Sequence, residues 1–256
     1  TWEGYVPSFV VEAINADLAG NENLRSVNMA GVTELGADLS VPENVVYATA
    51  AEGGLKRTFP AGQWSTVCLP FALGEEQVSA ITGNGCEITQ LTGYSEAERS
   101  VSFDAVTSMA ANTPYLIKSE TAQSVFEGLE GVVVGDMTAT ADVEQGKMKM
   151  VGSFEKLIIS SDDNTTYYAY DAADGEFVRI GNNAMVRPFR AYLAVSGASN
   201  APSLSLDLEG QGTTGISLTP TLSQGEGAYY DLNGRRVTNQ AKGLYITNGK
   251  KFIVTK

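Results

Sequence analysis

Thr166–Gly181 reads TYYAYDAADGEFVRIG. Two runs rich in aromatic and β-branched residues flank Ala173-Asp174-Gly175, and an Asp-Gly pair between such runs is a strong hairpin signal. Strand side chains alternate, so Tyr168 and Tyr170 share one face while Tyr167 and Ala169 share the other. The same grammar repeats on both sides. NVVYATAA (44–51), LKRTFPAGQWSTVCLPFAL (55–73), CEITQLTGY (86–94), SVSFDAV (100–106), TPYLIKS (113–119), VFEGLEGVVVG (125–135), KMKMVGSFEKLII (147–159) and FRAYLAVS (189–196) are all strand material bounded by Gly, Asn, Asp or Pro. Many short strands without alternating helices predict a mainly β protein, with an antiparallel β-sandwich over residues 46–208.

Upstream, Phe9, Val10, Ala13, Ile14 and Leu18 fall at helical spacing, with Ser8 placed to cap the start and Gly20 the end. Leu24, Val27 and Met29 then alternate in part, as on a strand or in one turn of a leucine-rich layer. Residues 1–45 are expected to form a helix and edge structure packed on the neighbouring strands, or the truncated end of a repeat, because one such turn cannot bury its own face.

Downstream of Leu206 the composition changes. LEGQGTTG (208–215) has little to bury and reads as a linker, so residues 209–256 are expected to be a linker and a small basic β tail. Asn233-Gly234 and Asn248-Gly249 each suit a two-residue type I′ turn, which predicts two hairpins or a four-stranded sheet. Residues 229–256 hold six Lys/Arg and one Asp, a net charge of +5 in a chain whose total is −13. A basic face of this kind serves recognition or anchoring, or docks as a structural cap on acidic neighbours; composition leaves both open.

With 30 acidic and 17 basic residues, the chain is a poor partner for nucleic acid, where cations must neutralise phosphates. No run approaches the roughly 18–20 apolar residues of a membrane span. Histidine is absent. That removes Ser-His-Asp and Cys-His catalysis and the histidine-containing zinc sites, and two cysteines cannot build a four-thiolate site. Cys68 and Cys86 read either as a disulfide or as a buried strand thiol and an unrelated loop thiol. On an alternating strand Trp64, Thr66 and Cys68 share one face, so Cys68 reads as core rather than nucleophile.

Asp162, Asp163 and Asn164 offer oxygen ligands for calcium, as do Asp171, Asp174 and Glu176, but the spacing is that of ordinary turns, and no metal or other cofactor is expected. Glu127 and Glu130 in the Gly-rich EGLEGVVVG are turn-and-strand material, since no P-loop Lys-Ser/Thr comes after them. Paired carboxylates would suffice for glycoside hydrolysis, yet no local motif marks a pair. Aromatic faces are the better route to a ligand. Trp2, Trp64, Tyr167, Tyr168, Tyr229 and Tyr230 are candidates for stacking on sugar, with Trp64, Tyr167 and Tyr168 foremost.

The closing YYDLNGRRV…KGLYITNGKKFIVTK resembles the C-terminal modules of secreted and surface proteins of Bacteroides-type bacteria, and is similar to a short type IX secretion-like sorting tail. Tyr230, Asn233, Gly234, Arg235, Gly243, Tyr245, Asn248 and Gly249 carry the likeness. RTFPAGQWSTVCLPFAL, ANTPYLIK and RPFRAYLAV resemble the β-rich regions that precede such tails. The resemblance implies an extracytoplasmic, secreted or cell-surface location and an all-β architecture; the family has no assigned activity. The expected function is that of a non-catalytic surface protein, acting in adhesion or as an accessory binding module, with a glycan or a surface protein as partner. A carbohydrate-active enzyme using an Asp/Glu pair and a structural stalk of a larger assembly are the alternatives.

Overall fold

A computed structural model describes residues 15–21, 23–29 and 40–208, and strand residues 229–230, 236–237, 243–247 and 250–254. The chain divides into two compact units, Thr1–Gly210 and Gln211–Lys256. Ser8, Phe9, Val10, Ala13 and Ile14 of the expected first helix lie outside the described residues, as does Trp2; residues 15–20 are helical.

β1 (Ser26–Met29) pairs in parallel with β2 (Val45–Thr49), and β2 turns back on β3 (Glu52–Lys56). β4 (Thr58–Phe59) and β5 (Trp64–Cys68) precede a helix, Glu75–Gly83, after which come β6 (Cys86–Ser95), β7 (Ser100–Ala105) and β8 (Pro114–Ser119). Two short strands, β9 (Gln123–Ser124) and β10 (Leu129–Glu130), pair with β4 and β3. Next are β11 (Val143–Gln145), β12 (Met148–Ser153), β13 (Leu157–Ile159), β14 (Thr165–Asp171), β15 (Glu176–Arg179), β16 (Ala184–Val186), β17 (Arg190–Ser196) and β18 (Ser203–Leu208). The second unit holds β19 (Tyr229–Tyr230), β20 (Arg236–Val237), β21 (Gly243–Thr247) and β22 (Lys250–Val254), in the order β20-β19-β21-β22.

The protein is mainly β. Its centre is one ten-stranded sheet, ordered β11-β12-β17-β14-β15-β18-β7-β6-β8-β5. The sheet curls until β5 and β8, at one end, pack against β12 and β17 near the other. The curl encloses Trp64, Leu91, Phe103, Leu116, Met150, Tyr168, Phe177 and Leu193, contributed by strands along the whole sheet. Each such side chain stabilises the fold by about 1.5–3 kcal/mol on burial. Tyr115 and Ile117, which alternate with Leu116 on β8, point into a second core with Val67, Ile88, Leu55 and Phe126. β8 is thus a wall with an apolar core on either side.

The Tyr168–Arg179 hairpin forms as its sequence predicts, with Tyr170 opposite Phe177 and Asp171 opposite Glu176. The Gly175 N–H donates to the Asp171 carbonyl at 2.9 Å, and Gly175 takes φ +71°, a value that glycine adopts without strain. Three features differ from expectation. β18 joins β7 in parallel, so the large sheet is mixed rather than purely antiparallel. Of 125–135 only Leu129–Glu130 is strand, because Gly128 and Gly131 turn the chain at φ +65° and +69°. The helix Glu75–Gly83 has no counterpart among the elements expected from sequence; Val78 and Ile81 bury one side, and the Gly74 N–H donates to Gln77 Oε1 at 2.9 Å. Glu75 and Glu76 in its first turn suit the positive end of the helix dipole.

In the second unit Tyr230 pairs with Arg236 and Ile246, Gly243 with Val254, and Tyr245 with Phe252. Thr247 pairs with Lys250, so two residues join β21 to β22. Asn233, Gly234, Arg235, Asn248 and Gly249 lie outside the described residues.

Candidate functional site

Where β5 meets the start of β17, the surface opens into a cleft of about 270 Å³. Trp64, Ser65 and Thr66 of β5 form one side, Ala169 and Tyr170 of β14 another, and Ala191 and Tyr192 of β17 the floor between them. Met185 and Val186 of β16, Arg187 of the connection that follows and Arg190 at the start of β17 close it.

That connection is bent for a reason. Val186 ends β16, Pro188 removes a backbone donor, and Phe189 takes φ +56°. A bulky side chain in the left-handed region is strained backbone, of order 1–3 kcal/mol. Phe189 is held there by its surroundings. Its ring is fully buried and lies 5.9 Å from Phe154, and its N–H donates to the Ser153 carbonyl at 2.7 Å. Its carbonyl accepts from Arg57 Nη1 at 3.1 Å. The same Nη1 donates to the Thr66 carbonyl at 3.0 Å, so one buried guanidinium ties β5 to the entry of β17. The Ala191 N–H donates to Thr66 Oγ1 at 3.0 Å and adds a second tie. Arg57 lies 4.2 Å over the Phe59 ring, while its Nε and Nη2 have no hydrogen-bond partner among the described residues. The result of the bend is that Arg187 and Arg190, three residues apart, both line the cleft.

Lys56, Lys118, Lys147 and Lys149 each pair with a carboxylate. Neither Arg187 nor Arg190 has a carboxylate within 4.0 Å among the described residues. Among the described residues Arg57, Arg99, Lys156 and Arg179 also lack an ion pair, so what distinguishes this cleft is that two such cations line it together. Burial pushes the Arg190 guanidinium down to about 10, with the Glu43 carboxylate acting in the opposite direction. Glu43 itself accepts from the Thr58 N–H and hydroxyl.

The three foremost aromatic candidates separate. Trp64 lines the cleft but is only 8 % exposed, so it forms a wall rather than a platform. Tyr168 corrects the sequence expectation: it is fully buried, and its hydroxyl donates to Ser199 Oγ at 2.8 Å, leaving no face for a ligand. Tyr167 stands on the opposite side of β14, edge-on to Tyr192 at 5.7 Å, in a second hollow of about 230 Å³ with Lys149 and Ser196. Tyr192 borders both hollows. Arg187, Arg190, Tyr170 and Tyr192 are the lining residues that sequence reasoning missed. No local pattern marks the two tyrosines, and the arginines show in sequence only as a pair flanking Pro188-Phe189, which does not reveal what lies near them in space.

Other candidate chemistry resolves into structure. Asp162 Oδ1 accepts from the Asn164 and Thr165 N–H groups at 2.8 and 2.7 Å, an Asx turn. Asp171 Oδ1 does the same for the Ala173 N–H at 2.8 Å. Among the described residues no group of three or more His, Cys, Asp or Glu side chains is placed to hold a metal. Cys68 and Cys86 are both free and buried, and Cys86 opens β6 rather than sitting in a loop. Burial, with the nearby Asp142 carboxylate, pushes the Cys68 thiol up to about 12, which keeps it protonated and unreactive at neutral pH.

No described helix is long and apolar enough to cross a membrane. No protein-family model matches the chain, and neither a curated protein nor a solved structure matches it.

Proposed function

We propose that the chain is a non-catalytic binding module of the cell surface or extracellular space, acting in adhesion or as an accessory domain, and that the β5–β14–β17 cleft is its ligand site. The observation that carries this reading is the lining. Aromatic rings, a serine hydroxyl and two arginines without carboxylate partners converge on one concavity. These are groups that orient and hold a ligand. The backbone around them is fixed by buried hydrogen bonds, so little ordering is left to oppose binding. The extracytoplasmic placement rests on the resemblance of the tail, and of segments 57–73, 111–118 and 187–195, to secreted and surface proteins.

The test uses the full chain against a broad panel of host and dietary glycans, with reducing-end release followed in parallel. Binding without turnover is expected. Turnover would replace the module with a carboxylate enzyme, and an empty panel would favour the structural stalk. Antibody labelling of intact source cells tests the location, and labelling only after permeabilisation would refute it.

A further inference from the structure

We propose that the ligand of this cleft is an acidic sugar, a pyranose whose carboxylate is held by Arg190 and Arg187 while its ring lies against Tyr170. The inference rests on the cleft being a binding site and adds the chemical class of its ligand.

Three independent observations lead there. The first is charge accounting. The chain has 30 acidic residues against 17 basic ones, so any surface cation has a surplus of potential partners. Four lysines have found them. Among the described residues Arg57, Arg99, Lys156 and Arg179 have not, nor have Arg187 and Arg190, and these last two are the pair that line one cleft, with Arg190 partly desolvated. A desolvated cation without a partner is costly, and a bound anion removes that cost. The second is strain. Phe189 is held at φ +56° by a buried arginine, and this bend is what brings Arg187 and Arg190 to the same lining. Strained backbone that surrounding structure over-determines is characteristic of ligand sites. The third is shape and chemistry. A volume of about 270 Å³ lies just below the range of drug-sized pockets and admits a group of about one sugar ring. Guanidinium matches a planar carboxylate with two parallel hydrogen bonds, and aromatic walls suit the apolar face of a pyranose.

The experiment measures binding of the full chain by calorimetry to four probes. Oligogalacturonate and sialyllactose carry the carboxylate; methyl-esterified oligogalacturonate and lactose keep the rings without it. Arg190→Gln and Arg187→Gln are measured alongside wild type, with melting temperature checking that each variant folds; Arg187 is exposed and its variant is not expected to disturb packing. The expected result is binding of at least one carboxylated probe, loss of about tenfold or more on esterification or desialylation, and a similar loss in either variant. Equal binding of the neutral partner, or variants that bind like wild type, overturns the acidic class and leaves the binding module standing. Binding of no probe overturns the acidic class; the broad panel then decides separately whether the cleft binds anything.

Discussion

Replacing Gly152 by alanine tests the closure of the curled sheet. Gly152 lies in β12, opposite Ala191 of β17, and its backbone approaches β5 from the far end of the sheet. A Cβ placed there would fall on Cys68 Sγ, 2.9 Å from Cys68 Cβ and 3.1 Å from Thr140 Cγ2. The Thr140 methyl has room to yield by a few tenths of an ångström. Cys68 does not, because it is fully buried and its Cβ moves only with the backbone of β5. Overpacking a tight core costs about 1–3 kcal/mol, and this contact should fall in the upper half of that range. For a unit of this size that is a fall in melting temperature of about 4–12 °C. Cys68→Ala alone removes one buried heavy atom and should cost about 1 kcal/mol. In the double variant the new methyl takes the space that Sγ vacates, so the two costs should not add. Urea unfolding followed by tryptophan fluorescence, completed as a double-mutant cycle, measures the coupling. A coupling of about 1 kcal/mol or more supports the close approach. A harmless Gly152→Ala, or additivity within about 0.5 kcal/mol, refutes it.

Four further outcomes are expected. Cys68 should resist a thiol reagent at pH 8 in the native chain and react only on unfolding, because its thiol is pushed up to about 12; rapid native labelling would contradict its burial. Tyr168→Phe should lose about 1 kcal/mol, since the hydroxyl that donates to Ser199 is gone and the ring remains; urea unfolding measures it. Asp162→Ala should cost about 1 kcal/mol by freeing the Asn164 and Thr165 N–H groups, and millimolar calcium should leave the wild-type melting temperature unchanged; a clear calcium shift would make that turn a metal site. Affinity for a carboxylated probe should be flat from about pH 6 to 8.5, because Arg190, although burial pushes it down to about 10, stays charged throughout that window; a steep loss inside it would exclude an arginine contact.

The legible parts of this molecule are those written locally. The Tyr168–Arg179 hairpin arises from Asp174-Gly175 between two β-forming runs, and both flanking strands carry the alternation of a half-buried sheet. The helix Glu75–Gly83 escapes because nine residues with only Val78 and Ile81 buried make almost no periodic signal. The curl escapes because it depends on pairings distant in sequence, such as Leu206 with Val101, that no short window contains. At the site, alternation places Tyr167 and Tyr168 on opposite faces but does not say which face is the core; burial assigns Tyr168 to it. Trp64 was legible as a bulky aromatic, whereas Arg187 and Arg190 were not. Their significance is that they line one cleft without an ion-pair partner, and that depends on how 30 acidic residues are distributed in three dimensions.

The position of β18 has a consequence for how the chain reaches this state. It is the last strand of the large sheet to be made, yet it lies inside the sheet, between β15 and β7. Until residues 203–208 emerge during synthesis, β11-β12-β17-β14-β15 and β7-β6-β8-β5 are two separate ribbons, each with an open edge. Such edges are templates for pairing with other chains. Pairing of β18 with β7 also closes a loop of about a hundred residues, which slows folding through its entropy. The ten-stranded sheet therefore cannot close until Ser203–Leu208 is available, and that strand is the keystone between the two ribbons.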